Sequence, residues 1–154
     1  LLDFEVTQDT DGRGIAEKLN TGMPSGLRVL DCYPAVRPVR ELTYLRADVT
    51  LEYDNGVPEN AAARLTELLG RQELIIQKRT KRKELADVDI APMIKDFSFT
   101  EMEGAGTVTV LAQNPGLNPQ LLEKAVARYL PDLTPDFLRV RRRAVLDAEG
   151  RDFR

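Results

Sequence analysis

The chain has 154 residues, of which 42% are hydrophobic, so it is long enough to bury a core as one domain or as two small ones. Charged residues make up 31% of the sequence but the net charge is only −3, so binding to an anionic partner must depend on local clusters. Histidine is absent and Cys32 is the only cysteine, which excludes histidine-based nucleophiles and an intramolecular disulfide, and argues against a zinc site.

The first 40 residues are predicted to form a partial strand-helix-strand unit. Apolar and polar residues alternate over 2–7, which predicts a half-buried strand. Residues 15–20 predict a short helix that ends near Gly22, and residues 27–33 predict a second strand. Two prolines then interrupt the pattern, so the segment 34–41 is the predicted boundary with a second domain over 41–154.

The second domain is predicted to alternate strands and helices. The predicted elements are a strand with Ala47, Val49, Leu51 and Tyr53 inward, a helix from Asn60 to Gly70, a strand over 73–79, an inserted segment at about 80–95, a hairpin over 96–111, a helix capped by Asn118 and a strand over 137–145. This order predicts an α+β fold of ferredoxin-like plaits, in which helices cover one face of an antiparallel sheet. The first unit corresponds to the latter half of such a plait, and a partner chain could complete it.

A basic loop is the strongest candidate for a binding site. It contains five cations and one hydroxyl in a row: Lys78, Arg79, Thr80, Lys81, Arg82 and Lys83. Only Glu84 and Asp87 are close enough in sequence to neutralise it. A phosphate backbone rewards such a loop through counterion release, and the threonine hydroxyl can donate to phosphate oxygens. The loop is therefore expected to contact RNA; the alternative is a solvated turn that nearby acids partly neutralise.

A second basic cluster lies on the last predicted strand. Arg139, Arg141 and Arg143 alternate with other residues and so project from one face, about 7 Å apart, close to the spacing of phosphates along a strand. They are therefore a second candidate contact for RNA or another anion. The predicted strand order places them beside the outward residues 46–52, so the alternative is a cross-strand salt-bridged surface. Those outward residues are Arg, Asp, Thr and Glu rather than aromatic, which argues against base stacking of the RRM type.

Two carboxylates follow the basic loop. Asp87 and Asp89 lie two residues apart and could bind a divalent cation, but no third ligand is near them in sequence. The alternative is that one of them caps or pairs with the basic loop. No metal site is therefore assigned.

The centre of the chain resembles the uncharacterised radical-SAM-linked protein family, whose domain lies beside or is fused to cobalamin-binding radical SAM proteins. The resemblance rests on residues 78–81 and on a following motif made of Val88, Asp89, Ile90, Pro92 and Ile94. The Asn-Pro-rich loop 114–119 and the helix after it are similar to a later part of the family. Ala91 stands where the family usually has arginine, and the family's opening segment has no counterpart here, so the chain looks like the later part of a member.

The resemblance implies that catalysis belongs to a radical SAM partner or fused domain. One cysteine cannot hold an iron–sulfur cluster, so the cluster, S-adenosylmethionine and cobalamin are expected on that partner. This chain is then expected to be a non-catalytic accessory domain that presents transfer or ribosomal RNA. The alternative is a docking module for the partner that binds no nucleic acid. With no signal-peptide pattern and no apolar run of about 20 residues, we expect a cytoplasmic protein that no membrane anchors.

Overall fold

The computed structural model describes residues 4–7, 11–79 and 83–153. It divides the chain into two compact units, one over residues 1–41 and the other over residues 42–153.

The first unit contains one α-helix, α1, from Gly12 to Thr21. Asp11 caps it, because its Oδ1 atom accepts a hydrogen bond of 2.7 Å from the backbone N–H of Gly14. A short 3₁₀ turn, Val39–Glu41, ends the unit. The helix predicted for residues 15–20 is therefore confirmed, with an additional turn at its start.

The two strands predicted beside α1 are wrong for the residues that the structure describes. Residues 4–7 and 27–33 lie in no strand. A strand needs a neighbouring backbone for its N–H and C=O groups, and the segment 27–33 is held instead by a side chain. The side-chain amide of Asn20 accepts a hydrogen bond from the backbone N–H of Val29 at 2.8 Å and donates one to the backbone carbonyl of Val29 at 3.0 Å. At this residue the side-chain amide therefore replaces the hydrogen bonds that a neighbouring strand would make.

The described residues of the second unit form two α-helices and six strands. Its elements are β1 (Tyr44–Glu52), α2 (Ala61–Leu69), β2 (Ile75–Arg79), β3 (Leu85–Asp89), β4 (Ile94–Met102), β5 (Ala105–Gln113), α3 (Leu121–Tyr129) and β6 (Phe137–Leu146). Two 3₁₀ turns, Ala91–Met93 and Pro131–Leu133, precede β4 and β6. The α-helices have nine or ten residues each, and within the described ranges none is long and apolar enough to cross a membrane.

Four strands form one antiparallel sheet in the order β4-β5-β1-β6. The α+β class is confirmed, and in this sheet β5 lies between β1 and β4. The predicted strand over 73–79 does not join this sheet. Its observed part, β2, pairs only with β3 and forms a separate two-stranded hairpin, while β4 takes the sheet position at the edge.

One face of the sheet packs on the helices. Along β1 the residues at odd positions are buried, as their alternation predicted: Leu45, Ala47, Val49 and Leu51. They share a core with buried residues of both helices, among them Leu65, Leu68, Leu122, Ala125 and Val126. The even positions of β1 face the other way and are partly or fully exposed. We call that second face, with its continuation on β5 and β6, the open face.

Candidate nucleic-acid interface

The β2–β3 hairpin is fixed to the second unit by a carboxylate. Asp89, the last residue of β3, accepts hydrogen bonds at its Oδ1 atom from the backbone N–H of Leu74 at 2.8 Å and of Ala91 at 3.0 Å. The N–H of Ile90 donates to the carbonyl of Leu74 at 3.0 Å, and the side chains of Leu74 and Ile90 are fully buried. The base of the hairpin is therefore held on both strands.

The motif that carries the family resemblance forms this junction. Val88 packs against the core, Ile90 lies within it, Pro92 lies in the 3₁₀ turn, and Ile94 begins β4. With Asp89, these residues turn the chain from the hairpin into the main sheet. Their contacts are structural, and within the described ranges no group of three or more His, Cys, Asp or Glu residues could hold a metal ion.

The tip of the hairpin is basic. Lys78 and Arg79 end β2 and are exposed, and Lys83 is exposed with a left-handed backbone (φ 65°). The other predicted loop residues, Thr80, Lys81 and Arg82, lie outside the described residues. In the part of the chain that the structure describes, no carboxylate lies within 4.0 Å of the amino or guanidinium groups of Lys78, Arg79 or Lys83.

Helix α3 covers the outer edge of β2 with polar side chains. The Tyr129 hydroxyl donates to the carbonyl of Ile75 at 3.0 Å and accepts from its N–H at 3.2 Å. Lys124 donates from Nζ to the carbonyl of Gln77 at 3.2 Å. These contacts satisfy backbone groups that an edge strand would otherwise leave open, and they bring α3 beside the basic hairpin.

Two further cations flank the ring of Tyr129. The guanidinium carbon of Arg71 lies 5.3 Å from the ring centroid and that of Arg128 lies 5.6 Å from it, within the range of a cation–π contact. Together with the hairpin cations and Lys124, they form a row along β2. We call this row the basic edge, and its described members are Arg71, Lys78, Arg79, Lys83, Lys124 and Arg128.

Sequence reasoning did not identify the contribution of α3 and of Arg71 to this surface. Lys124 and Arg128 are four residues apart, so they were readable as neighbours on one side of a helix. Nothing in the sequence indicated that this side lies against β2. That placement follows from the packing of Tyr129 and α3 on the hairpin.

The second predicted basic cluster lies on the open face. Strand β6 pairs with β1, as predicted, and Arg139 and Arg141 stand opposite Thr50 and Asp48. Arg139 Nη2 lies 2.9 Å from Glu52 Oε1, and Arg143 Nη1 lies 3.5 Å from Asp48 Oδ2. Two of the three arginines are therefore paired across the strands, which is the alternative that the sequence left open.

Hydroxyl groups extend this polar network across the sheet. Thr50 and Thr107 are hydrogen-bonded through their Oγ1 atoms at 3.1 Å, and Thr109 donates to Asp48 Oδ1 at 3.0 Å. Asp48 thus contacts both neighbouring strands. Arg141 alone among the three β6 arginines has no carboxylate within 4.0 Å in the described part of the chain.

Arg64 shows the contacts of a fully paired arginine elsewhere in the unit. It donates through Nη1 and Nη2 to the two carboxylate oxygens of Asp132, at 2.5 and 2.8 Å. This hydrogen bonding lowers the pKa of Asp132 and raises the pKa of Arg64. No described cation of the basic edge has a contact of this kind within the described ranges.

Residues 1–121 match the family described as "uncharacterized protein conserved in bacteria (DUF2344)". The chain belongs to this family. The matched region includes the β2–β3 hairpin and its junction, and it ends at the first residue of α3. Searches of the curated proteins and of the solved structures gave no match.

Proposed function

We propose that this chain is a non-catalytic accessory module of a radical SAM system and that it presents RNA, transfer or ribosomal, through the basic edge. The radical SAM part rests on the resemblance of residues 78–81 and 88–94 to the radical-SAM-linked proteins. The RNA part rests on one observation: the described cations along β2 and its tip have no carboxylate partner within 4.0 Å.

Unpaired cations in a row suit a phosphate backbone. The outer edge of β2 is about 13 Å long, from its residue count and the rise per strand residue, and it carries cations at both ends and in the middle. Each cation that neutralises a phosphate releases a condensed counterion, which makes binding favourable and dependent on salt. The chain can bind RNA locally in this way although its net charge is −3.

The open face is a poorer RNA surface because its charges are already compensated. Arg139 and Arg143 would have to leave Glu52 and Asp48 before they could contact phosphates. The central strands β1 and β5 also carry a single aromatic residue, Tyr44 at the start of β1. Recognition is therefore assigned to electrostatic contacts at the hairpin.

Fluorescence anisotropy of the chain with labelled total transfer RNA, at 50 and 200 mM salt, tests this function. We expect binding that weakens steeply with salt. We also expect binding to be lost in the double variant Lys81→Glu/Arg82→Glu. The matched control is Lys18→Glu/Arg28→Glu, which makes the same charge change at exposed positions of the first unit. No binding by the wild type at low salt, or equal loss in the control, would refute the proposal.

A second candidate function is docking of the radical SAM partner without RNA. It is favoured by the first unit, where no described residue is buried and large apolar side chains are exposed: Phe4, Val6, Leu27, Leu30, Tyr33, Val36 and Val39. In this case the partner would bind equally well to Lys81→Glu and less well to Phe4→Asp or Val6→Asp. Pull-down of the purified radical SAM protein with these variants separates the two functions.

A further inference from the structure

A shallow, open groove of about 480 Å³ lies where the start of α3 meets the start of β6. Its lining includes Asn118, Gln120, Glu123, Lys124, Asp136 and Phe137. Most of these side chains are polar or charged, and one is a large aromatic. This combination suits a flat ligand that has both an aromatic ring and hydrogen-bonding groups at its edge.

Phe137 is the unusual member of this lining. It is 60% exposed, and it is the one aromatic among the three large hydrophobics exposed in the described residues of the second unit, the others being Leu85 and Met102. Lys124 lines the same groove, and proteins combine exposed aromatic rings with basic side chains to stack nucleic-acid bases. Stacking is tolerant of sequence because every base has a flat face.

Lys124 connects the groove to the basic edge. It lines the groove and also donates to the carbonyl of Gln77 on β2. A strand of RNA that contacts the hairpin through its phosphates can therefore reach the groove past this one side chain. Lys124 is then placed to contact the phosphate next to a base held in the groove.

The two carboxylates in the groove differ in their availability. Asp136 Oδ2 accepts a hydrogen bond of 2.9 Å from the N–H of Asp54. Glu123 has no hydrogen bond and no ion pair in the described part of the chain, so its carboxylate can accept from a ligand. A glutamate at the edge of a base favours one that has an exocyclic amine.

We propose that this groove holds one unpaired RNA base, stacked on Phe137, with its exocyclic amine donating to Glu123 and its adjacent phosphate at Lys124. Cytosine, adenine and guanine have such an amine and uracil does not. This inference deepens the proposed function and rests on it. It assigns single-stranded RNA, or an unpaired loop, rather than a continuous duplex.

Anisotropy with three labelled RNAs tests the inference: a 12-nucleotide cytidine oligomer, a uridine oligomer of the same length and a blunt RNA duplex. We expect the wild type to prefer the cytidine oligomer. Phe137→Ala should weaken cytidine binding about tenfold, in the range of base–aromatic stacking, and leave duplex binding unchanged. Phe137→Trp should restore binding of the cytidine oligomer. Glu123→Gln should reduce the preference for the cytidine oligomer over the uridine oligomer.

Met102→Ala is the matched control, since Met102 is a similarly exposed apolar residue (70%) at the end of β4. If Phe137→Ala binds all three RNAs as Met102→Ala does, while binding still depends on the hairpin cations, the groove is not a base site and the proposed function stands. If the wild type binds none of the RNAs at 50 mM salt, the proposed function itself is refuted.

Discussion

Two surfaces of the second unit are rich in arginine and lysine, but they differ in what those side chains contact. On the open face, Arg139 and Arg143 are paired with Glu52 and Asp48 across the strands. Along the basic edge, the described cations contact one backbone carbonyl, an aromatic ring or solvent, and have no carboxylate within 4.0 Å in the described residues. Paired charges stabilise the contact between neighbouring strands, whereas unpaired charges remain available to an anionic ligand.

This difference shows that the availability of a basic cluster for anion binding depends on the side chains that surround it in three dimensions. The spacing of the β6 arginines indicated a second possible phosphate-binding surface besides the basic loop. Their position beside an acidic strand compensates two of them. The hairpin is separate from the main sheet, and its own second strand, β3, carries Asp87 and Asp89. In the described part of the chain neither carboxylate forms an ion pair with Lys78, Arg79 or Lys83.

The largest expected effect comes from the carboxylate that holds the basic hairpin in place. Asp89→Ala removes the acceptor for the N–H groups of Leu74 and Ala91. Leaving these donors without a partner should lower the free energy of unfolding by about 2 to 3 kcal/mol, as urea denaturation would measure. The conservative variant Asp89→Asn keeps an oxygen acceptor and should lose less.

Asp87→Ala is the matched control for that experiment. Asp87 is exposed and makes no hydrogen bond or ion pair in the described part of the chain. Its removal should change the free energy of unfolding by less than about 0.5 kcal/mol. Equal losses in the two alanine variants would show that the junction is not held by Asp89.

The second prediction compares the two basic surfaces directly. The double variants Arg79→Gln/Lys83→Gln and Arg139→Gln/Arg143→Gln each remove two cations without adding negative charge. The first should reduce the slope of log Kd against log salt for RNA by about 2, because each lost phosphate contact accounts for about 1. The second should leave the slope nearly unchanged; a larger reduction there would reverse the assignment of the binding surface.

A smaller effect is expected from the hydroxyl that covers the outer edge of β2. Tyr129→Phe removes two hydrogen bonds to Ile75 and should cost about 1 kcal/mol of unfolding free energy. Tyr44→Phe is the control, since the Tyr44 hydroxyl makes no hydrogen bond in the described part of the chain. Loss of stability in the control alone would contradict the role given to Tyr129.

The smallest effect is expected from the salt bridges of the open face. Arg139 and Arg143 are 68% and 50% exposed, and exposed ion pairs contribute between about 0 and 1 kcal/mol. Each single glutamine variant should therefore shift the free energy of unfolding by less than about 1 kcal/mol. The shift should shrink at 1 M salt, and a shift that persists there would point to packing of the arginine stem instead.

Much of the second unit could be predicted because its elements have strong local periodicity. The alternation along β1 indicated which side chains are buried, and the apolar residues 121, 122, 125 and 126 indicated the buried side of α3. The hairpin of β4 and β5 and the pairing of β6 with β1 were also predicted correctly. In these cases local pattern and tertiary packing agree.

The features of the structure that could not be predicted depend on contacts that a local sequence pattern does not show. Strands were predicted over residues 2–7, from their alternation, and over residues 27–33, but a sequence pattern does not supply a pairing partner. At Val29 the side chain of Asn20 takes the place of that partner. The separation of β2 from the main sheet follows from the junction at Asp89. Likewise, the α3 part of the basic edge depends on Tyr129 reaching Ile75, 54 residues away.

The most direct test of whether the basic edge binds RNA is an NMR titration of the ¹⁵N-labelled chain with a short unlabelled RNA. The chemical shifts of the backbone amides are measured at each step of the titration. We expect the largest shifts over residues 77–84 and 124–129, with smaller ones near Phe137. Shifts that concentrate instead over residues 46–52 and 139–143 would contradict this expectation, because the open face and not the basic edge would then be the RNA-binding surface.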